Sequence, residues 1–246
     1  MTTRTLIFVI FLIWSPPLFA LECVNDDFEG VSFTRCDVLA GEDDLRLFLR
    51  DQSGTVYGHF YALNAELNER GLELAFAMNA GMFRPDFTPA GLYVEDGIRQ
   101  KPLVTRAGPG NFGLLPNGIF CLNEAGFHVY ETLSFAKRGQ TCRYASQSGP
   151  MLVIDGALHP RFLKGSTSKF IRNGVGTSKD GTSASFVISN KPVTFHHFAR
   201  FFRDHLGLSS ALYFDGNVSR LYAPELNRLG LGRRMGPIVG VVKKAR

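Results

Sequence analysis

Residues 194–219 read TFHHFARFFRDHLGLSSALYFDGNVS, and the hydrophobic period changes within them. Phe195, Phe198, Phe202 and Leu206 recur at helical spacing on one face, with Thr194 placed to cap the first turn and Gly207 to end the last. Residues 211–214 are then a short unbroken apolar run, which reads as a buried strand, and Asp215-Gly216 breaks it. A helix feeding a buried strand that stops at a polar turn is the pattern against which the rest of the chain is read.

Working outward, residues 28–38 and 45–49 alternate well enough to be strands, parted by the turn formers Gly41-Glu42-Asp43-Asp44. Residues 60–70 carry Phe60, Leu63 and Leu67 at helical spacing, and Gly71 stops that helix. Residues 74–78 form a short apolar strand. Residues 90–130 alternate short strands with Gly, Pro and Asn turns, residues 150–154 run into an Asp155-Gly156 hairpin turn, and residues 238–242 make a last strand. Strands dominate and no regular βαβ alternation exists, so the expected fold is α+β: a mixed, largely antiparallel sheet core with two or three flanking helices.

Of the 246 residues, 45% are hydrophobic and 20% charged, which excludes a disordered chain. With 22 Phe against one Trp, the core is expected to be built on phenyl rings. The net charge of +5 gathers partly in Arg228, Arg233, Arg234, Lys243, Lys244 and Arg246, read as a solvated tail, and no basic stripe calls for nucleic acid. Residues 1–20 have the form of an export signal: Arg4, then nine apolar residues from Leu6 to Trp14, then Pro16-Pro17 and a small residue at Ala20. Nine residues span about 14 Å as a helix, well short of a bilayer core. The expectation is therefore a periplasmic or secreted protein whose mature chain, residues 21–246, is one domain without a membrane span. Four cysteines in an exported chain favour two disulfides, and of three possible pairings Cys23–Cys36 with Cys121–Cys142 closes the more local loops.

Chemistry is expected where apolar runs end in small-residue turns bearing polar groups. Three such places occur: Asn79-Ala80-Gly81, Ser148-Gly149-Pro150 leading into a run that ends at Asp155, and Asp215-Gly216-Asn217-Val218-Ser219. A fourth segment, residues 171–181, places Arg172 among glycines and hydroxyl residues able to present N–H groups to an anion, although taken alone it reads as a solvated hairpin turning at Lys179-Asp180-Gly181. His196 and His197 are adjacent on a helix and point about 100° apart, so they are not read as metal ligands. No metal or other cofactor is expected. Calcium held by aspartates and carbonyls stays open as an alternative, with no EF-hand loop to support it.

Residues 79–83 (NAGMF), 91–94 (GLYV) with Gly97, 147–152 (QSGPML), 172–176 (RNGVG) and 212–216 (LYFDG) together resemble, in the same order, the motifs of the phosphodiester glycosidase family, to which the lysosomal enzyme that uncovers mannose 6-phosphate is related. The resemblance runs from about Leu45 to Val242. It implies hydrolysis of the bond between a sugar's anomeric carbon and a phosphodiester oxygen; the expected partner is a sugar-phosphate small molecule or, from the expected export alone, an envelope glycopolymer. Such cleavage passes through an oxocarbenium-like state and wants carboxyl groups at the anomeric carbon. Asp215 is the first candidate, Asp180 the second and Asp155 the third. Arg172 would hold the phosphate, Asn79 and Ser148 would bond sugar hydroxyls or phosphate, Gly216 would let the backbone approach the ligand, and Ser219 would assist Asp215. The family's Asp-Gly-Gly-x-Ser stands here as Asp215-Gly216-Asn217-Val218-Ser219. Two rival readings are a non-catalytic carbohydrate- or envelope-binding module and a phosphodiesterase that breaks P–O.

Overall fold

The structure is a computed structural model that describes residues 21–245. The expected export signal, residues 1–20, lies outside the described residues. Strands gather into three sheets, and every pairing among the described residues is antiparallel. The largest has seven strands in the order Glu22–Phe28, Val31–Leu39, Ser183–Ser189, Asn173–Thr177, Ser210–Asp215, Met151–Ile154 and Ala157–Leu158. A second orders Arg228–Leu229, Leu221–Ala223, Leu72–Asn79, Ile238–Lys244 and Asp44–Phe48. The third orders Ile98–Lys101, Tyr93–Glu95, Tyr144–Ser148, Gly118–Asn123 and Gly126–Glu131. The fold class is α+β, as the sequence pattern implies.

Helix α1 is Phe60–Asn68 and buries Phe60, Leu63 and Leu67, the three residues whose spacing announces it. Helix α2, Thr132–Arg138, is capped by the Glu131 carboxylate and ends at Gly139. Helix α3, Phe195–Arg200, starts as expected: Thr194 Oγ1 accepts from the His197 N–H at 3.1 Å. It then widens into a π-helical turn over Phe201–His205, and Gly207, with φ +67°, ends it.

The sheets meet on phenyl rings. Phe76 from the second sheet, Phe120 from the third, and Phe186 and Phe214 from the first lie with centroids 5.1–6.5 Å apart in tilted, stacked and edge-on pairs. All four are essentially buried, each stabilising the fold by about 2–3 kcal/mol relative to leaving it exposed. The two disulfides are Cys23–Cys36 and Cys121–Cys142, the pairing favoured by local loop closure.

Two local expectations are corrected. Residues 28–38 are not one strand: the chain reverses at Glu29-Gly30, whose φ values of +53° and +76° make a two-residue hairpin turn between Glu22–Phe28 and Val31–Leu39. Residues 171–181 do turn at Lys179-Asp180-Gly181 into the strand Ser183–Ser189, but the hairpin is not solvated, because Asn173–Thr177 is buried throughout and central in the largest sheet. Its glycines serve packing. A Cβ at Gly174 would stand 2.4 Å from the Leu212 carbonyl oxygen, and one at Gly176 would stand 2.7 Å from Leu208 and 2.8 Å from Phe202. Hydrogen is the only side chain that fits between this strand and its neighbours.

Gly174→Ala is expected to lower the unfolding free energy by about 2 kcal/mol or more through overpacking. Gly165→Ala, where a Cβ meets nothing within 4 Å, should stay within about 0.5 kcal/mol of the parent. Denaturant unfolding of the two variants measures both, and equal midpoints would contradict the packing account.

Candidate active site

Asn79 ends the strand Leu72–Asn79 of the second sheet, and Asn173 begins the central strand of the first. Both are fully buried. Their amides interlock: Asn173 Nδ2 donates to Asn79 Oδ1 at 2.8 Å, and Asn79 Nδ2 donates to Asn173 Oδ1 at 3.2 Å. Each oxygen also receives a backbone donor from the segment between them. Asn79 Oδ1 accepts from the Arg220 N–H at 2.9 Å, and Asn173 Oδ1 from the Asp215 N–H at 3.3 Å. The pair thus clamps both ends of residues 215–220 onto two different sheets.

Asp215 closes the strand Ser210–Asp215 directly opposite Asn173. The register slips there, with Gly174 opposite Tyr213 and Phe214 left over as a bulge. A bulge re-aims the residue beside it, and here that residue is Asp215. Ser148 Oγ donates to the carbonyl of the bulged Phe214 at 2.8 Å and so pins the distortion. The Asp215 carboxylate accepts the Gly216 and Asn217 N–H groups at 2.7 and 2.9 Å. Burial raises its pKa above the ordinary carboxylate value, and these N–H bonds oppose the rise without cancelling it. Ser219 Oγ lies 2.7 Å from the Asp215 carbonyl and 3.0 Å from that of Ile171, closing the loop. What the loop takes from position 217 is its N–H. Asn217 supplies that with its side chain exposed and its φ outside the left-handed region, so replacing the family's glycine brings no backbone strain.

Arg172 is the largest of the fully buried side chains, only 1% exposed. Its Nε donates to the Val193 carbonyl at 2.9 Å, one terminal nitrogen to Tyr213 Oη at 3.4 Å and the other to the Ser168 carbonyl at 3.3 Å. The guanidinium carbon sits 3.6 Å from the Phe195 ring centroid and 5.5 Å from those of Phe170 and Tyr213. These oxygens are neutral, and burial lowers the arginine's pKa. Tyr213 links the two candidate groups. Its hydroxyl feels the charge of Arg172 and of Asp215, and burial pushes its pKa above the usual phenol value. A Cβ on Gly216 would stand 2.1 Å from that hydroxyl, so glycine is required where the loop crosses it.

Arg172, Asp215, Gly216 and Ser219 are therefore brought together. Asn79 and Ser148 are also there, fully buried beneath the loop, where their bonds to the Arg220 N–H and the Phe214 carbonyl position its backbone. Asp180 is not there. It lies beyond Thr177, at the opposite end of a five-residue strand that spans about 13 Å. It is exposed, and bonds from Ser178 and Thr182 hold its pKa down to about 2. Asp155 occupies the hairpin turn at that same far end, beside Ser209. Asn173, Tyr213, Phe170 and Phe195 escape the sequence reading as site residues. Asn173 stands inside a quoted motif, and its amide beside Arg172 was the available signal. Of the arginine's aromatic walls, Phe195 and Tyr213 stand at helix and strand positions that read only as core, and Phe170 lies outside the named strands.

A family model described as phosphodiester glycosidase matches residues 73–242. The uncharacterized protein YigE of Escherichia coli K12 is 32% identical over 209 residues, covering 84% of this chain and 81% of that protein. Among solved structures, the catalytic domain of zebrafish N-acetylglucosamine-1-phosphodiester α-N-acetylglucosaminidase, auto-inhibited by its pro-peptide, superimposes with a TM-score of 0.59 at 12% identity, covering 90% of this chain and 82% of that one. A Burkholderia pseudomallei K96243 protein described as a candidate exported protein gives 0.52 at 11% identity, covering 86% and 74%.

Asn79→Ala and Asn173→Ala should each cost about 2–3 kcal/mol, since each leaves a buried amide unsatisfied. The double variant should cost clearly less than the sum, because the second substitution removes the orphan left by the first. A double-mutant cycle by denaturant unfolding checks this, and additive losses would contradict the interlocked pair.

Proposed function

Because the chain belongs to the phosphodiester glycosidase family, we propose that it is an exported hydrolase that cleaves the bond between the anomeric carbon of a sugar and a phosphodiester oxygen. The observation that carries this reading is the pairing of a partly buried carboxylate with a guanidinium buried against neutral oxygens, the Tyr213 hydroxyl being bonded to the guanidinium and within the field of the carboxylate. A buried cation facing neutral partners leaves a desolvation cost that an anionic ligand offsets. A phosphodiester is an anion whose oxygens suit the guanidinium's fork. Phe170, 52% exposed, lies over Arg172 and is the ring that must swing aside for the phosphate to enter.

In this reading the phosphate group rests on Arg172 and the anomeric carbon faces Asp215. As the C–O bond lengthens, its electron pair passes to the phosphate oxygen, and charge on the departing phosphate is balanced by the guanidinium. A phosphate monoester leaves without strong help from an acid, so one carboxylate suffices. Asp215 faces the positive charge growing on the sugar and accepts a proton from the water that bonds to the anomeric carbon. The products are the free sugar and the phosphate monoester. Ser219, the Gly216 and Asn217 amides and the buried Asn79–Asn173 pair hold that carboxylate in place. Two disulfides suit an oxidising compartment, which supports export to the periplasm or beyond.

Hydrolysis of a sugar-1-phosphodiester in ¹⁸O-labelled water should place the label on the sugar. Label on phosphate would overturn glycosidic cleavage in favour of P–O cleavage, and binding without turnover would favour the non-catalytic module. Asp215→Asn should lower kcat by about 100-fold or more while leaving the unfolding midpoint near that of the parent. Asp215 must be ionised to take the proton, and burial raises its pKa. The acid limb of kcat/KM should therefore lie above the ordinary carboxylate value of about 3.9. A limb at or below that value would contradict the assignment.

A further inference from the structure

A second cationic feature lies on the other side of the backbone that holds Arg172. A cavity of about 400 Å³ opens between the segment carrying Lys164 and Lys169 and the first turn of helix α3. Lys164, Lys169, His196, His197 and Arg200 line it together with the Thr194 cap, and its lining contains no carboxylate. Glu29 approaches from outside the lining, bonding Arg200 at 2.7 and 2.9 Å and standing 3.5 Å from His197 Nδ1, and Asp204 bonds Arg200 as well. The two lysines have no such partner among the described residues. His197, also on the lining, has its Nε2 buried and without a hydrogen-bond partner among the described residues. Burial, and then the charges of Arg200, Lys164 and Arg203, lower the pKa of His196.

The cavity is tied to the proposed catalytic cluster through the chain itself. Val193, one of its walls, offers its carbonyl to Arg172 Nε, and Lys169 follows Ser168, whose carbonyl receives another nitrogen of the same guanidinium. One layer of backbone thus separates two anion-seeking places. We propose that this cavity is a second phosphate subsite, filled by a neighbouring phosphate of the same substrate, so that the substrate class is a chain of phosphodiester-linked sugars and not an isolated sugar phosphodiester. The subsite stands on the cavity alone, whereas the substrate class rests on the function proposed above.

Two measurements test it. Titration of the purified protein with inorganic phosphate, followed on the histidine ring NMR signals, should shift His196 and His197 saturably. Lys164→Glu/Lys169→Glu, which alters only exposed side chains, should abolish the shift with the fold retained. Signals that stay still, move identically in the variant, or never saturate because phosphate is only an adventitious ion there would overturn the subsite. In turnover, a synthetic substrate with two consecutive phosphodiesters should exceed its single-phosphodiester counterpart by about tenfold or more in kcat/KM, and that ratio should fall to about one in the variant. A ratio of one in the parent would overturn the substrate class. Absence of turnover for both substrates would refute the hydrolase reading, and the phosphate titration would still decide the subsite.

Discussion

Two buried amides bear the burden of this architecture. Asn79 and Asn173 come from different sheets, 94 positions apart in the chain, and neither has access to water. Burying an amide without partners costs on the order of 1–3 kcal/mol, so each is stable only while the other is in register. That mutual dependence fixes where the strand Ser210–Asp215 ends, because the remaining capacity of the two oxygens is taken by the Asp215 and Arg220 N–H groups. The loop between inherits its shape from the clamp, and its carboxylate inherits its orientation from the loop.

Arg172, next to Asn173 in the chain, is the counterpart at the same junction. A guanidinium at 1% exposure with only carbonyl and phenol oxygens around it is a poor choice for stability alone. Aromatic rings on its faces recover part of the cost. In the proposed function the arrangement would hold affinity for an anion, as the raised pKa of Asp215 would hold readiness to accept a proton. Departures of this kind from the most stable choice of residues are where function is expected to concentrate.

Much of this was legible in the sequence where local rules govern. Helix α3 announced its apolar face and Thr194 its cap, helix α1 its burial pattern, and strand ends with Asp or Asn beside glycine marked the turns. The cysteine spacing gave the disulfide pairing through loop closure. What stayed hidden depends on contacts between distant segments. Gly174 and Gly176 look like flexible loop residues until Leu212, Leu208 and Phe202 are seen pressing against them. Asp180 and Asp215 have similar sequence surroundings, yet they stand at opposite ends of neighbouring strands, which only the register decides. Asn79 and Ser148 read as ligand contacts because their burial comes from contacts across sheets, with Asn173 and the Phe214 carbonyl of the first.

The central claim is that one ligand joins Arg172 to Asp215. A crystal structure of the protein with a sugar 1-phosphate bound tests it most directly. The account predicts the phosphate against the Arg172 guanidinium, with Phe170 displaced, and the anomeric carbon next to the Asp215 carboxylate. A ligand bound at the far end of the sheet beside Asp155 and Asp180, with Arg172 still enclosed, would contradict it.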